Sequence, residues 1–405
     1  MKSARQQLEI IRRRAVEIIP EDDLLRKLER SVETGKPLRV KLGVDPTASY
    51  IHVGIGVVLE KLRDFQDLGH TAVLIVGDFT ARIGDPSGRD STRPILTFNE
   101  IQRNMQSYKD QAFEILDPGR TEIHYNSKWL EPMAFEEIME LTSKYTVARM
   151  LERDDFHKRY QEGQSITLLE FLYPLAQAYD SVAIDADVEL GGTDQRFNLL
   201  VGREIQERYG QDAQVALLMP LLEGTDGVKK MSKSYGNTVG ITEPANEIYG
   251  KIMSIPDDML ERYTTMLTDL DYASLQDEHP MEQKKQLARA VVSKYHSEGA
   301  AERAAEEFER VFGQGERPED VPEVKLRSDV LTDEGTIWIV ALMDRAGLVD
   351  SRSDARRLVQ QGAVEYDGER IDDVDAQISL KPQALLRVGK RRFAEVRLED
   401  APSNG

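Results

Sequence analysis

Hydrophobic positions change their spacing along this chain, and each change marks an element. Over residues 3–35, Leu8, Ile11, Val16, Ile19 and Leu24 recur among charged residues, which predicts an amphipathic helix. Leu38-Arg39-Val40-Lys41-Leu42-Gly43-Val44 reads instead as a buried strand. Val58, Leu62 and Phe65 then return at helical spacing, with Gly69 as the stop. Thr71-Ala72-Val73-Leu74-Ile75-Val76 is a second β-rich run. Strand, helix and strand within this length predict a right-handed parallel crossover, the opening unit of a doubly wound sheet. Such sheets bind ligands beyond the carboxyl ends of their strands, so chemistry is expected just after Val44.

Residues 98–165 are mostly helical in pattern, and Leu168 to Asp180 form another helix. Val182-Ala183-Ile184 reads as a strand leading to Gly191-Gly192-Thr193-Asp194-Gln195 and a further helix, and Val215-Ala216-Leu217-Leu218-Met219 as a last buried strand. Residues 245–312 are helix-rich without a clear strand, and Gly313 to Pro322, with Gly315 and Pro318, read as a linker. From Thr336 the pattern shifts to a short helical piece and then alternating strands, which marks a separate small domain. The expected fold is α/β: a Rossmann-like parallel-sheet domain over 1–242, a helical stretch and linker over 243–325, and a small α+β domain over 336–400.

Composition narrows the setting. A chain of 405 residues that is 40% hydrophobic can bury more than one core. The absence of cysteine excludes disulfides, thiolate metal sites and a cysteine nucleophile. Met1-Lys2-Ser3-Ala4-Arg5 leads into a charged helical pattern, and no run of about 18 apolar residues occurs, so a cytoplasmic protein is expected. The net charge of -19 argues against a generic polyanion binder, so any RNA partner must meet a local basic face.

Two distant segments make chemical sense together. Asp45-Pro46-Thr47-Ala48-Ser49-Tyr50-Ile51-His52-Val53-Gly54-Ile55 puts a histidine and glycine, with Gly56 following, where a strand gives way to a helix. Glycine lets a nucleotide approach the backbone, and a helix N-terminus favours negative charge. Lys230-Met231-Ser232-Lys233-Ser234 follows a buried strand and offers two lysines and two hydroxyls on a short loop. A lone histidine is usually a surface or structural group, and lysine runs are usually solvated; the pairing is what points to a triphosphate held from two sides. On these residues the chain resembles the class I aminoacyl-tRNA synthetases, and along most of its length the bacterial tyrosyl-tRNA synthetases with a Lys-Met-Ser-Lys-Ser loop.

That resemblance implies a tyrosine--tRNA ligase reaction, in which ATP activates L-tyrosine to tyrosyl-adenylate and tyrosine then passes to the 3′ end of tRNA(Tyr). Thr47, His52, Lys230 and Lys233 would be catalytic, with Asp45, Pro46, Gly54, Ile55, Asp194, Met231, Ser232, Lys233 and Ser234 around ATP. The lysines act as mobile charges on the transition state. Mg2+ is expected with the ATP, without a protein metal site or a tightly bound cofactor. Tyr173, Gln177 and Asp180 share one face of an apolar helix, which suits a small polar ligand. The resemblance gives Tyr173, Gln177 and Asp85 to the tyrosine α-amino group, Asp180 to the phenol, Thr80 to the amino acid, Asp194 to the adenylate ribose and Gln195 to the substrate carboxylate. A carboxylate built to meet a phenol is stranded when phenylalanine enters, and tyrosyl-tRNA synthetase is itself the worked case of that rejection.

Three positions depart from the family pattern. Ile55 stands where a second signature histidine faces the ATP ribose, which implies weaker nucleotide binding or a local rearrangement. Lys41 stands where relatives place a tyrosine near the phenol; it either replaces that donor or points elsewhere. Arg196 replaces a common aromatic. The tail from Ser351-Arg352-Ser353-Asp354-Ala355-Arg356-Arg357 through the Asp367-Gly368 turn to Val388-Gly389-Lys390-Arg391-Arg392-Phe393 resembles an S4 RNA-binding domain, with Arg352, Arg356, Arg357, Lys390, Arg391 and Arg392 facing RNA. The family also implies a homodimer through a helical insertion at about 100–190, with one tRNA bridging the subunits, and an anticodon-side role for the helical stretch. Two competing readings are a non-catalytic S4-bearing RNA-binding paralogue, supported by Ile55, and a tryptophan-specific relative, opposed by Asp180.

Overall fold

Six strands build the principal sheet: β1 (Glu17–Ile19), β2 (Arg39–Val44), β3 (Thr71–Val76), β4 (Thr121–Tyr125), β5 (Val188–Gly192) and β6 (Val215–Met219). Their order is β1-β6-β5-β2-β3-β4, parallel throughout except for β1, which runs antiparallel to β6. The structure is a computed structural model describing residues 2–45, 50–85, 98–232, 235–313, 321–327, 330–332, 335–349, 351–389 and 392–399. β6 is buried along its whole length and β3 along all but its first residue. This explains their unbroken apolar sequences, since a parallel sheet is covered on both faces.

The strand order decides where a ligand can enter. From β2 the chain adds β3 and β4 on one side, then returns to add β5 and β6 on the other. The chain therefore diverges between β2 and β5, and the crevice beyond their carboxyl ends is the switch point of the sheet. The helix Val53–Asp67 starts there, with His52 as its extended N-cap residue.

Three local expectations are corrected. Residues 3–35 form two helices, Ala4–Arg12 and Glu21–Thr34, with β1 between them. Arg14 adopts a left-handed φ of 62°, and the residue before Pro20 is pushed to extended geometry, so the helix cannot run through. The mostly helical stretch 98–165 contains β4, which pairs in parallel with β3. Val182-Ala183-Ile184 is the last turn of the Leu168–Ile184 helix, which ends at Asp185 with φ 51°, and the strand is β5, four residues further on. A short apolar run does not distinguish a buried strand from a helix end.

Contacts divide the chain into two compact units, Met1–Ala305 and Glu306–Gly405. Helices Ala245–Met253, Leu260–Leu267 and Pro280–Tyr295 belong to the first. In the second, β7 (Glu323–Arg327), β8 (Thr336–Trp338), β9 (Val364–Tyr366), β10 (Glu369–Ile371), β11 (Gln377–Ser379), β12 (Gln383–Val388) and β13 (Arg392–Glu399) form a five-stranded sheet, β10-β9-β12-β13-β7, and a β11-β8 pair. Leu342, Val359, Leu386 and Val396 lie in its own core. Asp367 and Gly368 both have positive φ, 52° and 85°, which is the geometry a two-residue hairpin turn requires.

Candidate active site

β2 runs out into Asp45 and β5 into Asp194, and between them lies a cavity of about 680 Å³. Asp45, His52, Gly54, Ile55, Thr80 and Asp85 line it from the first half of the sheet. Tyr173, Gln177 and Asp180 line it from the Leu168–Ile184 helix, and Asp194, Gln195, Lys230, Met231 and Ser232 from the second half. Fourteen of the expected positions therefore line one cavity. Pro46, Thr47, Lys233 and Ser234 lie outside the described residues.

Asp180 is 2% exposed and accepts Trp129 Nε1–H at 2.8 Å and Asn126 Nδ2–H at 3.3 Å. Burial pushes its carboxyl up to about 7, against the pull of Lys41 and these two donors. Tyr173 donates to Asp45 Oδ2 at 2.8 Å and Thr80 to Asp45 Oδ1 at 2.9 Å. Asp85 accepts from Gln195 Nε2 at 2.8 Å and from the buried Arg153 at 3.3 Å. Gly77 is required behind this cluster, since a Cβ there would lie 2.0 Å from Asp45 Oδ1 and 2.4 Å from Thr80 Oγ1. Carboxylates at 45, 85 and 180 make this part of the wall suited to a ligand carrying an ammonium group and a hydroxyl.

The strand register settles the direction of Lys41. It stands opposite Glu189 across β2 and β5, and their side chains form a fully buried ion pair at 2.9 Å. Its ammonium also donates to Ser181 Oγ at 2.8 Å and to the Gln177 carbonyl at 2.9 Å. Three donors meet three acceptors, so none is left for a ligand. The Gln177 side-chain amide likewise donates to Glu189 Oε1, at 3.1 Å. Arg196 pairs with Glu17 at the surface.

On the other side of the cavity, the His52 imidazole packs against Gly54, where a Cβ would lie 3.1 Å from Nδ1. Burial, aided by the nearby Lys230 charge, brings His52 down to about 4, so the ring is neutral at physiological pH. Its Nδ1 is buried without a partner among the described residues. Lys230 is half exposed and rests 3.3 Å from Asp194 Oδ2, a contact worth no more than about 1 kcal/mol and easily exchanged for phosphate. Asn237 Oδ1 accepts Ser232 N–H at 2.9 Å and anchors the loop that carries it.

Sequence reasoning missed Asn126, Trp129, Arg153 and Glu189, which hold the ligand-facing groups from behind. Asn126 and Trp129 follow β4, inside the stretch read as helical, so nothing in the pattern turned them toward Asp180. The signal available for Glu189 was a charge within an apolar strand. In the second unit, Arg352 pairs with Asp344 at 3.0 Å, Arg357 with Asp354, and Arg356 lies over the Trp338 ring at 5.1 Å. Arg392 donates to the Leu348 carbonyl at 2.6 Å, while Lys390 and Arg391 lie outside the described residues.

Comparison with known proteins gives the family of the chain. The family described as tRNA synthetases class I (W and Y) matches residues 33–313, and the S4 domain matches residues 337–380. The tyrosine--tRNA ligase of Syntrophotalea carbinolica is 53% identical over 409 residues, covering 98% of this chain and 99% of the relative. That of Moorella thermoacetica is 51% identical, covering 96% and 95%. Among solved structures, a tyrosyl-tRNA synthetase from Aeropyrum pernix superposes with a TM-score of 0.60 at 21% identity, covering 75% of this chain and 98% of that one. One from Archaeoglobus fulgidus, complexed with L-tyrosine, gives 0.59 at 23% identity, covering 75% and 99%. At such identities the two structures speak for the fold alone.

Proposed function

The chain belongs to the class I tRNA synthetases of the tryptophan and tyrosine group, and we propose that the cavity between β2 and β5 carries out the family's activation step on tyrosine. The overall reaction is that of a tyrosine--tRNA ligase: L-tyrosine and ATP give tyrosyl-adenylate, and tyrosine is then transferred to the 3′ end of tRNA(Tyr). The observation that carries the site assignment is the placement in one cavity of a buried carboxylate, Asp180, and of a helix N-terminus with His52 and Lys230.

In this reading Asp180 accepts the phenol O–H, while Asp85 and the Asp45–Tyr173 pair face the α-amino group. Gln177 acts on the wall through Glu189, and Gln195 presents its amide toward the substrate carboxylate. That carboxylate is already ionised at neutral pH, so it attacks the α-phosphorus without a general base. The bond to the pyrophosphate breaks, and the departing charge is met by the neutral His52 N–H, by Lys230 and by the helix N-terminus. ATP brings its Mg2+ as substrate, and Asp194 leaves Lys230 to take the ribose. The remaining contribution is alignment of carboxylate and phosphorus.

Assembly follows the same reading. Phe135, Met139, Val147, Tyr160, Leu168 and Leu169 are exposed among the described residues, which supports a second copy covering the 100–190 region. The arginines of the second unit supply the cations that tRNA phosphates need. No helix among the described residues is long and apolar enough to cross a membrane. ATP–pyrophosphate exchange tests the whole reading: it should proceed with tyrosine and fail with phenylalanine and tryptophan. Exchange that needs no tyrosine, or none at all, would overturn it.

A further inference from the structure

Tyr108 has no part in the roles above, yet it lines the same cavity and is 4% exposed. Its hydroxyl is buried without a hydrogen-bond partner among the described residues, as is Nδ1 of His52, which lines the same cavity. The helix that carries it, Phe98–Ala112, is fastened to the phosphate side of the cavity. One turn after Tyr108, Gln111 Oε1 accepts the Ile51 N–H at 2.8 Å, and Gln111 Nε2 is held by the Ser107 carbonyl and hydroxyl at 3.1 and 3.0 Å. Position 108 is thereby tied to the segment that leads into His52 and the Val53–Asp67 helix. Burial raises the phenol above its ordinary value, so it stays a neutral O–H donor.

A buried hydroxyl without an acceptor is costly, and native structures rarely keep one unless something else satisfies it. The neighbouring helix N-terminus and the Lys230 charge favour an anion, and an anion offers only acceptors. We propose that Tyr108 is an ATP-binding residue whose hydroxyl donates to an oxygen of the triphosphate beside His52. The proposal rests on reading this cavity as the activation site.

Tyr108→Phe in the full-length protein tests it, because only the oxygen is removed. ATP–pyrophosphate exchange, with ATP and tyrosine varied in turn, should show the KM for ATP rising about tenfold, the loss of one hydrogen bond to a charged group. The KM for tyrosine should hold. The ligand-free melting temperature should stay level or rise, since the deleted hydroxyl satisfied nothing there. Unchanged ATP kinetics would overturn the proposal while leaving the activation site standing. Parallel losses for ATP and tyrosine with a lower melting temperature would also overturn it, by showing a structural hydroxyl. An unmutated protein that shows no tyrosine-dependent exchange would overturn the parent reading and this inference together, a failure recognisable because no mutation is involved.

Discussion

The carboxyl of Asp180 and the imidazole of His52 are both displaced by burial, in directions that keep each neutral more often than in water. For Asp180 the value of about 7 lies above the ordinary 3.8, so the folded protein holds a proton that the unfolded chain releases. Stability from this group is fully present below the ordinary carboxylate range and is lost as pH rises through about 7. A carboxyl shifted this far makes a few kcal/mol of difference between pH 5 and 8, so Asp180→Asn should flatten the pH dependence of the melting temperature over that interval. Binding runs the other way in the proposed reading, where the ionised Asp180 accepts the phenol O–H, so the KM for tyrosine should rise by up to about tenfold per unit of acidification below pH 7. The KM for ATP should stay level there, because His52 titrates near 4. A tyrosine KM indifferent to pH would remove Asp180 from the phenol. Ile55 belongs to the same scale. Ile55→His should tighten ATP binding by about 1 kcal/mol for one recovered hydrogen bond. His52→Ala should slow adenylate formation with a smaller effect on binding, and rapid-quench measurements across ATP concentrations separate the two.

Among elements, β3 and β6 were legible because each is a largely apolar run, β2 because its apolar residues alternate with Arg39, Lys41 and Gly43, and the His52 and Lys230 segments because their residue types are distinctive. β4 was not, since all five of its residues are only partly buried and its pattern sinks into the surrounding helical one. With it went Asn126 and Trp129, the two donors that fix Asp180. Lys41 and Glu189 show a different limit. Lys41 reads as a charge in an apolar strand, Glu189 lies beyond the strand expected at Val182-Ala183-Ile184, and only the register of β2 against β5 reveals that they are partners. Breaking the pair by Lys41→Met leaves Glu189 buried and uncompensated, which should cost about 3–5 kcal/mol. Lys41→Met with Glu189→Gln should recover part of that loss in a thermal or urea melt. If the single variant is as stable as the parent, the ion pair is not what holds these strands. The proposed contact between two copies makes a prediction of its own: Phe135→Asp with Leu168→Asp should turn the dimer expected by light scattering into a monomer while leaving the far-ultraviolet spectrum unchanged, and a parent protein that is already monomeric would overturn that contact.

At the scale of the whole molecule, two compact units divide the residues assigned to activation from those assigned to RNA. All the described residues assigned to ATP and tyrosine fall within Met1–Ala305, and the basic residues assigned to RNA fall within Glu306–Gly405. The cut that respects this division is set by β7, not by the change of pattern at Thr336. Ending the chain at residue 335 would strand Glu323–Arg327 without β13, its parallel partner, and leave an open strand prone to pairing with other chains. A chain ending at Gly313 removes the strand with its sheet. It should retain tyrosine-dependent pyrophosphate exchange within about twofold, because every residue assigned to the reacting phosphates is still in the chain. Charging of tRNA should fall by about 100-fold or more, on the order of 3 kcal/mol when several phosphates go unbound. The arginines can be tested without any deletion. Arg352, Arg356 and Arg357 sit in exposed pairs or over an aromatic ring, interactions worth about 1 kcal/mol or less each, so phosphate can draw them away. Replacing all three by alanine should raise the KM for tRNA and lessen its dependence on salt, by roughly one unit of log–log slope for each phosphate no longer neutralised. Exchange activity should not move. If the triple variant charges tRNA with unchanged KM at every salt concentration, the RNA-facing surface lies elsewhere on the chain.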